Sequence, residues 1–191
     1  MVDTKQTKTI GEHWACCELA RRGWAPALTR DGIERTDILA VKNHGERLMV
    51  EVQVKTTVAV PGRVSWHLGS LAHSVAGGEH EWVVLVAADP EPRGPLRSFV
   101  VPRSHVSAAA WISHMDWLTH PDAPAGKRTA SVEHARVKVE VFAAYEDRWD
   151  MVERPTEQAP VLLPTAFRSL ATEQRVGLPP AHPWHQDLPS W

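Results

Sequence analysis

Four side chains of the kinds that hold a divalent cation and move a proton are spaced so that ordinary secondary structure can gather them: Glu12, Asp37, Gln53 and Lys55. The run RLMVEVQVK, residues 47–55, alternates. Val50, Val52 and Val54 face one side of an extended strand, and Glu51, Gln53 and Lys55 the other. A carboxylate and an ammonium on a strand that otherwise reads as core are costly to bury unless they pair or bind a metal. Asp37 opens the preceding apolar run TDILAV, residues 36–41, and the turn Asn43-His44-Gly45-Glu46 joins the two runs. A hairpin then brings Asp37 beside the polar face of the second strand. Mg²⁺ takes oxygen ligands, acidifies a bound water and neutralises charge building on a phosphodiester. In that chemistry Asp37 is the main anionic ligand, and Gln53 offers its amide oxygen and Val54 its carbonyl. Lys55 orients or deprotonates the attacking water, and Glu12 or Glu51 completes the acid count.

The elements that must position these groups are legible as patterns. Residues 9–22 read as a helix, with Thr9 and Glu12 in capping-box spacing and Gly23 as its stop. One stripe carries Ile10, Trp14 and Cys17, and another carries Glu12, Ala15, Cys16 and Leu19. Residues 82–88, WVVLVAA, suit a central strand covered on both faces. Residues 97–101 read as a further strand, and 103–118 and 140–152 as amphipathic helices. Short helices are expected near 70–76 and 166–176. This order gives an α/β fold, a small mixed sheet flanked by helices. Residues 1–152 are expected to form the domain. Residues 153–191, with seven of the fifteen prolines, form a Pro-rich C-terminal arm that wraps the domain, meets a protein partner or stays disordered.

Composition narrows the classes. The 191 residues carry a formal net charge of −2, low for a broad polyanion-binding surface. The two cysteines, Cys16 and Cys17, are adjacent, which excludes a disulfide scaffold or a cysteine zinc site; they read as small buried residues. The eleven histidines show no metal-binding helix spacing and read as surface or partly buried. No apolar run has membrane-spanning length, and the polar start lacks a secretory h-region, so the expected location is the cytoplasm.

The segments GEHWACCELARRGW, TDILAV and LMVEVQVKTT together resemble the PD-(D/E)xK nuclease superfamily, across residues 9–102. Glu12 matches the family's helix acid, Asp37 its aspartate, and Gln53-Val54-Lys55 its acid-x-Lys strand. The chain departs from the pattern at Gln53, where Asp or Glu is usual, and at Thr36, where Pro is usual. The resemblance implies a restriction-endonuclease-like α-β-β-β-α-β core and a Mg²⁺-dependent DNA endonuclease, with Mn²⁺ as a substitute cation and a homodimer as an allowed assembly. The alternative is a catalytically inactive nuclease-fold module that binds nucleic acid or protein. Arg35, Lys127 and Arg128 are candidates to grip phosphates, and Arg21, Arg22 and Arg30 lie near the expected site. Simpler roles stand beside each of these. Glu12 fits a helix cap, Glu51 a cross-strand ion pair, Lys127 and Arg128 a solvated loop, and Tyr145 and Trp149 core anchors.

Overall fold

The computed structural model describes residues 3–29, 35–45, 47–60, 64–124 and 126–191; Arg30 and Glu46 lie outside them. In chain order the elements are α1 (Thr4–Arg21), β1 (Trp24–Leu28), β2 (Ile38–Lys42), β3 (Met49–Val58), β4 (Ser65–His67), β5 (Glu81–Ala88), β6 (Leu96–Pro102), α2 (Arg103–Thr119), β7 (Arg136–Lys138) and α3 (Thr165–Thr172), with short 3₁₀ turns between them. They fall into two compact units. The first comprises Met1–Val64, Gly77–Pro102 and Tyr145–Ala159, and the second Ser65–Ala76, Arg103–Ala144 and Pro160–Trp191.

The first unit is a five-stranded mixed sheet in the order β1-β2-β3-β5-β6. The first two pairings are antiparallel, β3 and β5 run parallel, and β5 and β6 are antiparallel. The alternation in β3 works as its pattern requires: Val50, Val52 and Val54 are buried, Glu51 is exposed, and Gln53 and Lys55 are half-buried. Every residue from Trp82 to Ala88 is buried, as a strand with neighbours on both sides and covered faces should be. β1 has no alternating pattern and contains Pro26. Proline cannot donate to a ladder, which is why this segment forms an edge strand.

α1 begins earlier than the Thr9–Glu12 pattern suggests. Its start is capped by Asp3 and Gln6, with the Asp3 N–H donating to Gln6 Oε1 at 3.1 Å. Thr9 is therefore interior, its hydroxyl donating to the Lys5 carbonyl, and Glu12 has no capping role. The stripe through Ala15 and Leu19 is the buried one. Ile10 and Cys17 are exposed and Cys16 is half-buried, so the expectation of two buried cysteines fails. Gly11 packs on the β3 face that carries Val50, Val52, Val54 and Thr56. A Cβ at Gly11 would lie 1.8 Å from Thr56 Oγ1.

Two helices expected from periodicity are shorter here. Residues 70–76 hold only a single 3₁₀ turn, Gly69–Leu71, so among the described residues no α-helix lies between β3 and β5. Residues 140–152 form two 3₁₀ turns, Val139–Tyr145 and Trp149–Glu153. They are interrupted at Asp147, whose φ of 56° no helix accepts. Tyr145 and Trp149 are buried anchors as expected, and Arg97 closes a two-pronged ion pair on Glu146 at 2.6 Å.

The second unit packs α3 and the C-terminal tail on α2. Ala108, Ile112, Ala171, Val176 and Leu178 form its core cluster, flanked by Phe167, Trp184 and Leu188. The Pro-rich segment is thus folded against α2. His182 Nε2 donates to the Ser104 carbonyl at 2.9 Å, and its ring meets Trp184 edge-on. His105 and His182 are both buried, against the expectation of surface histidines. Burial pushes them down to about 3 and about 4; each also feels a neighbouring histidine. β4 and β7 form a separate antiparallel pair. Among the described residues no helix is long and apolar enough to cross a membrane.

Candidate metal centre

Three elements of the first unit deliver the candidate groups. Asp37 sits one residue ahead of β2. Its N–H donates to the Val52 carbonyl at 2.9 Å, and its Oδ2 accepts the Val54 N–H at 2.8 Å. The carboxylate thereby takes over, at the end of β2, the hydrogen bond that a further strand residue would have made. The register pairs Ile38 with Val52, and carried back one residue it sets Asp37 level with Gln53. Glu12 comes from α1, one residue after the tight Gly11–Thr56 contact. Its carboxyl and that of Asp37 are near enough to act as hydrogen-bond partners.

The Lys8 ammonium attends this acid pair. Lys8 Nζ lies 3.4 Å from Glu12 Oε1 and 3.9 Å from Asp37 Oδ1. The two acid side chains are 15% and 19% exposed, whereas that of Lys8 is 54% exposed. Burial, the largest cause, holds the Glu12 carboxyl above its ordinary range. Lys8 pulls it the other way, and the charge of Asp37 adds to the rise. At Glu12 burial therefore outweighs the ammonium. Burial and the Glu12 charge also raise the Cys16 thiol, which makes it a poor nucleophile.

The remaining candidates divide clearly. Gln53 and Lys55 are half-buried on β3, on the alternate positions to Val54. Glu51 is exposed and accepts the Thr36 hydroxyl at 2.8 Å; its N–H donates to the His80 carbonyl. It is tied beside the residue that precedes Asp37 and forms no ion pair among the described residues. Arg35 pairs with Glu81 at 3.0 Å. Lys127 and Arg128 belong to the second unit. There the Arg128 guanidinium donates to the Trp117 carbonyl and lies 5.3 Å over its ring. Among the described residues no group of three or more His, Cys, Asp or Glu side chains converges. The oxygen donors in place are two carboxylates, with the Gln53 amide on the adjoining strand position. That all-oxygen set, drawn around a positive charge, suits a hard cation and not a soft one.

Lys8 was missed because the helix was expected to start after it. Its one sequence signal is the i,i+4 spacing to Glu12. A second ion cluster on α1 was also missed: buried Glu18 receives Arg21 at 2.9 Å and Arg22 at 2.5 Å. No protein-family model, curated protein or solved structure matches this chain.

Proposed function

We propose that the chain is a Mg²⁺-dependent DNA endonuclease of the PD-(D/E)xK type, with Glu12, Asp37, Gln53 and Lys55 as its working residues. The observation that carries this reading is the partly buried carboxylate pair of Glu12 and Asp37, which α1 and the start of β2 bring together beside the strand that bears Lys55. The order of elements supports it too. A helix is followed by three strands paired antiparallel in succession, then by a strand parallel to the third. The family's crossover helix would be replaced by the turn at Gly69–Leu71.

In this reading the Glu12 and Asp37 carboxylates would hold the cation, and Gln53 would contribute an oxygen without a charge. Asp37 Oδ2 remains on the Val54 N–H and keeps the carboxylate oriented. The cation, when bound, supplies charge neutralisation and an acidified water. Lys55 holds the attacking water through its ammonium and stabilises the charge that develops on the phosphate oxygens. The full chain should nick supercoiled plasmid with Mg²⁺ or Mn²⁺ and fail in EDTA. Asp37→Ala and Lys55→Ala should each lose nicking while circular dichroism stays unchanged. Equal nicking by both variants and the wild type would discard the mechanism.

A second reading is a nuclease-fold module without catalysis. It is favoured by the neutral side chain at Gln53 and by the engagement of Asp37 Oδ2 with the Val54 N–H. Calorimetry with Mn²⁺ separates the two readings: a saturable site that vanishes in Asp37→Ala excludes the inert module.

A further inference from the structure

We infer that the second unit carries a nucleotide-binding cleft in which Trp117 stacks the base and Arg128, Arg136 and Lys138 hold the phosphates. The inference stands whether or not the first unit cleaves DNA.

A cleft of about 850 Å³ opens along the C-terminal half of α2 and the outer face of β7, within the size range of roughly 300–1,000 Å³ usual for small-molecule sites. β7 explains part of its chemistry. Val137 is buried, so Arg136 and Lys138 on either side of it share the outward face. Among the described residues neither has an acidic partner within ion-pairing distance, in contrast to Arg97, Arg148 and Arg175. Asp116, which also lines the cleft, is committed to Arg175 at 2.8 Å. Asp122 is exposed and faces only the His120 ring, at 3.8 Å. The cleft thus concentrates three cations against one uncommitted carboxylate, in a chain whose net charge is −2.

The aromatic half of the chemistry comes from Trp117. Its side chain is one of the few large hydrophobic groups left exposed, at 43%. The Arg128 guanidinium stacked on the ring and bonded to the Trp117 carbonyl fixes both in place. A flat indole carrying a cation is a platform for an electron-rich heterocycle. Phe167 adds a second ring to the lining. Guanidinium forks and an ammonium within reach of one stacking surface match a base joined to phosphate. The ligand is therefore a nucleotide, either free or as one unit of a single strand.

The test uses the full chain in EDTA, so that cleavage by the first unit cannot intervene. The probes are a short fluorescein-labelled single-stranded oligonucleotide, read by anisotropy, and adenosine triphosphate, read by calorimetry. Wild type should bind at least one of them: comparable binding of both identifies a free-nucleotide site, and binding of the oligonucleotide alone identifies a strand site. Trp117→Ala should weaken binding by roughly ten-fold, the usual loss for one stacked base, and Trp117→Phe should restore most of it. Arg136→Gln with Lys138→Gln should weaken binding and reduce the salt slope by about one for each cation removed. All three variants should keep the wild-type unfolding midpoint. Unchanged affinity in Trp117→Ala, equal competition by inorganic tripolyphosphate, or no binding of either probe to wild type would overturn the assignment.

Discussion

Two glutamates of α1 keep opposite electrostatic company. Glu18 is 4% exposed and is met by two guanidinium groups, Arg21 and Arg22. Arg22 is itself braced by Asp147 at 3.6 Å and by the Trp149 ring. Glu12 has the Lys8 ammonium at 3.4 Å and a second carboxylate beside it. The first cluster is saturated: each charge has a partner of opposite sign, and nothing further is needed to make burial tolerable. The second sets two carboxylates side by side in a partly open position, with the Glu12 carboxyl held above its ordinary range. Fully paired clusters make burial tolerable, whereas acid pairs in partly open positions are where cations bind.

The largest effect expected is at the Glu12–Asp37 pair. Asp37→Ala should lower Mn²⁺-dependent nicking by on the order of 10²–10³-fold, the usual loss when one charge-stabilising group is removed. A plasmid assay with matched unfolding curves measures it. At the saturated cluster the loss should be one of stability alone. Glu18→Ala should cost roughly 1–3 kcal/mol, as charged hydrogen bonds are removed, with nicking by the surviving folded protein unchanged. Urea unfolding and the plasmid assay together test this, and lost activity without lost stability would erase the contrast between the clusters. Lys8→Gln removes the competing ammonium and should tighten Mn²⁺ binding by no more than about ten-fold, because Lys8 is largely solvated. Weaker binding would mean that Lys8 supports the site.

The smallest effect concerns pH. The folded protein holds the Glu12 proton more tightly than the unfolded chain does, since the folded carboxyl lies above its ordinary value of 4.5. Glu12 therefore favours folding below that value, and this contribution is lost as pH rises through the folded pKa. In EDTA at neutral pH, Glu12→Gln should raise stability by less than about 1 kcal/mol. Saturating Mn²⁺ should reverse the order of the two proteins, as a ligand that binds only the folded wild type must.

Much of the site's framework is written in local pattern. The alternation of residues 47–55 specifies the hairpin, its buried valines and the level of Asp37, because a one-residue slip would expose Val50, Val52 and Val54 together. The apolar run at 82–88 likewise permits few placements other than between two strands. What escaped has physical reasons. Pro26 hides β1 by breaking the donor pattern that marks a strand. β4 and β7 are three residues each, too short for a period to show. The apolar stripe through Val141, Tyr145, Trp149 and Val152 fits a helix, yet Asp147 takes a positive φ, and Tyr145, Trp149 and Val152 reach the core of the first unit from 3₁₀ turns while Val141 stays half-buried. Thr9 and Glu12 imitate a cap, and the imitation concealed both the first turn of α1 and Lys8.

The contact at Gly11 makes the hydrogen side chain of that residue a spacer. Thr56 Oγ1 is 1.8 Å from where a methyl would sit; turning the threonine moves that oxygen but leaves its Cβ at 3.0 Å. Alanine at that position would still lift the helix from the strand by a few tenths of an ångström. The lift would be felt one residue on, at Glu12, as a widening of the gap that the acid spans to reach its partner across the strands. A surface on which nothing reacts therefore sets the span between the two carboxylates, and a single added carbon is enough to detune it.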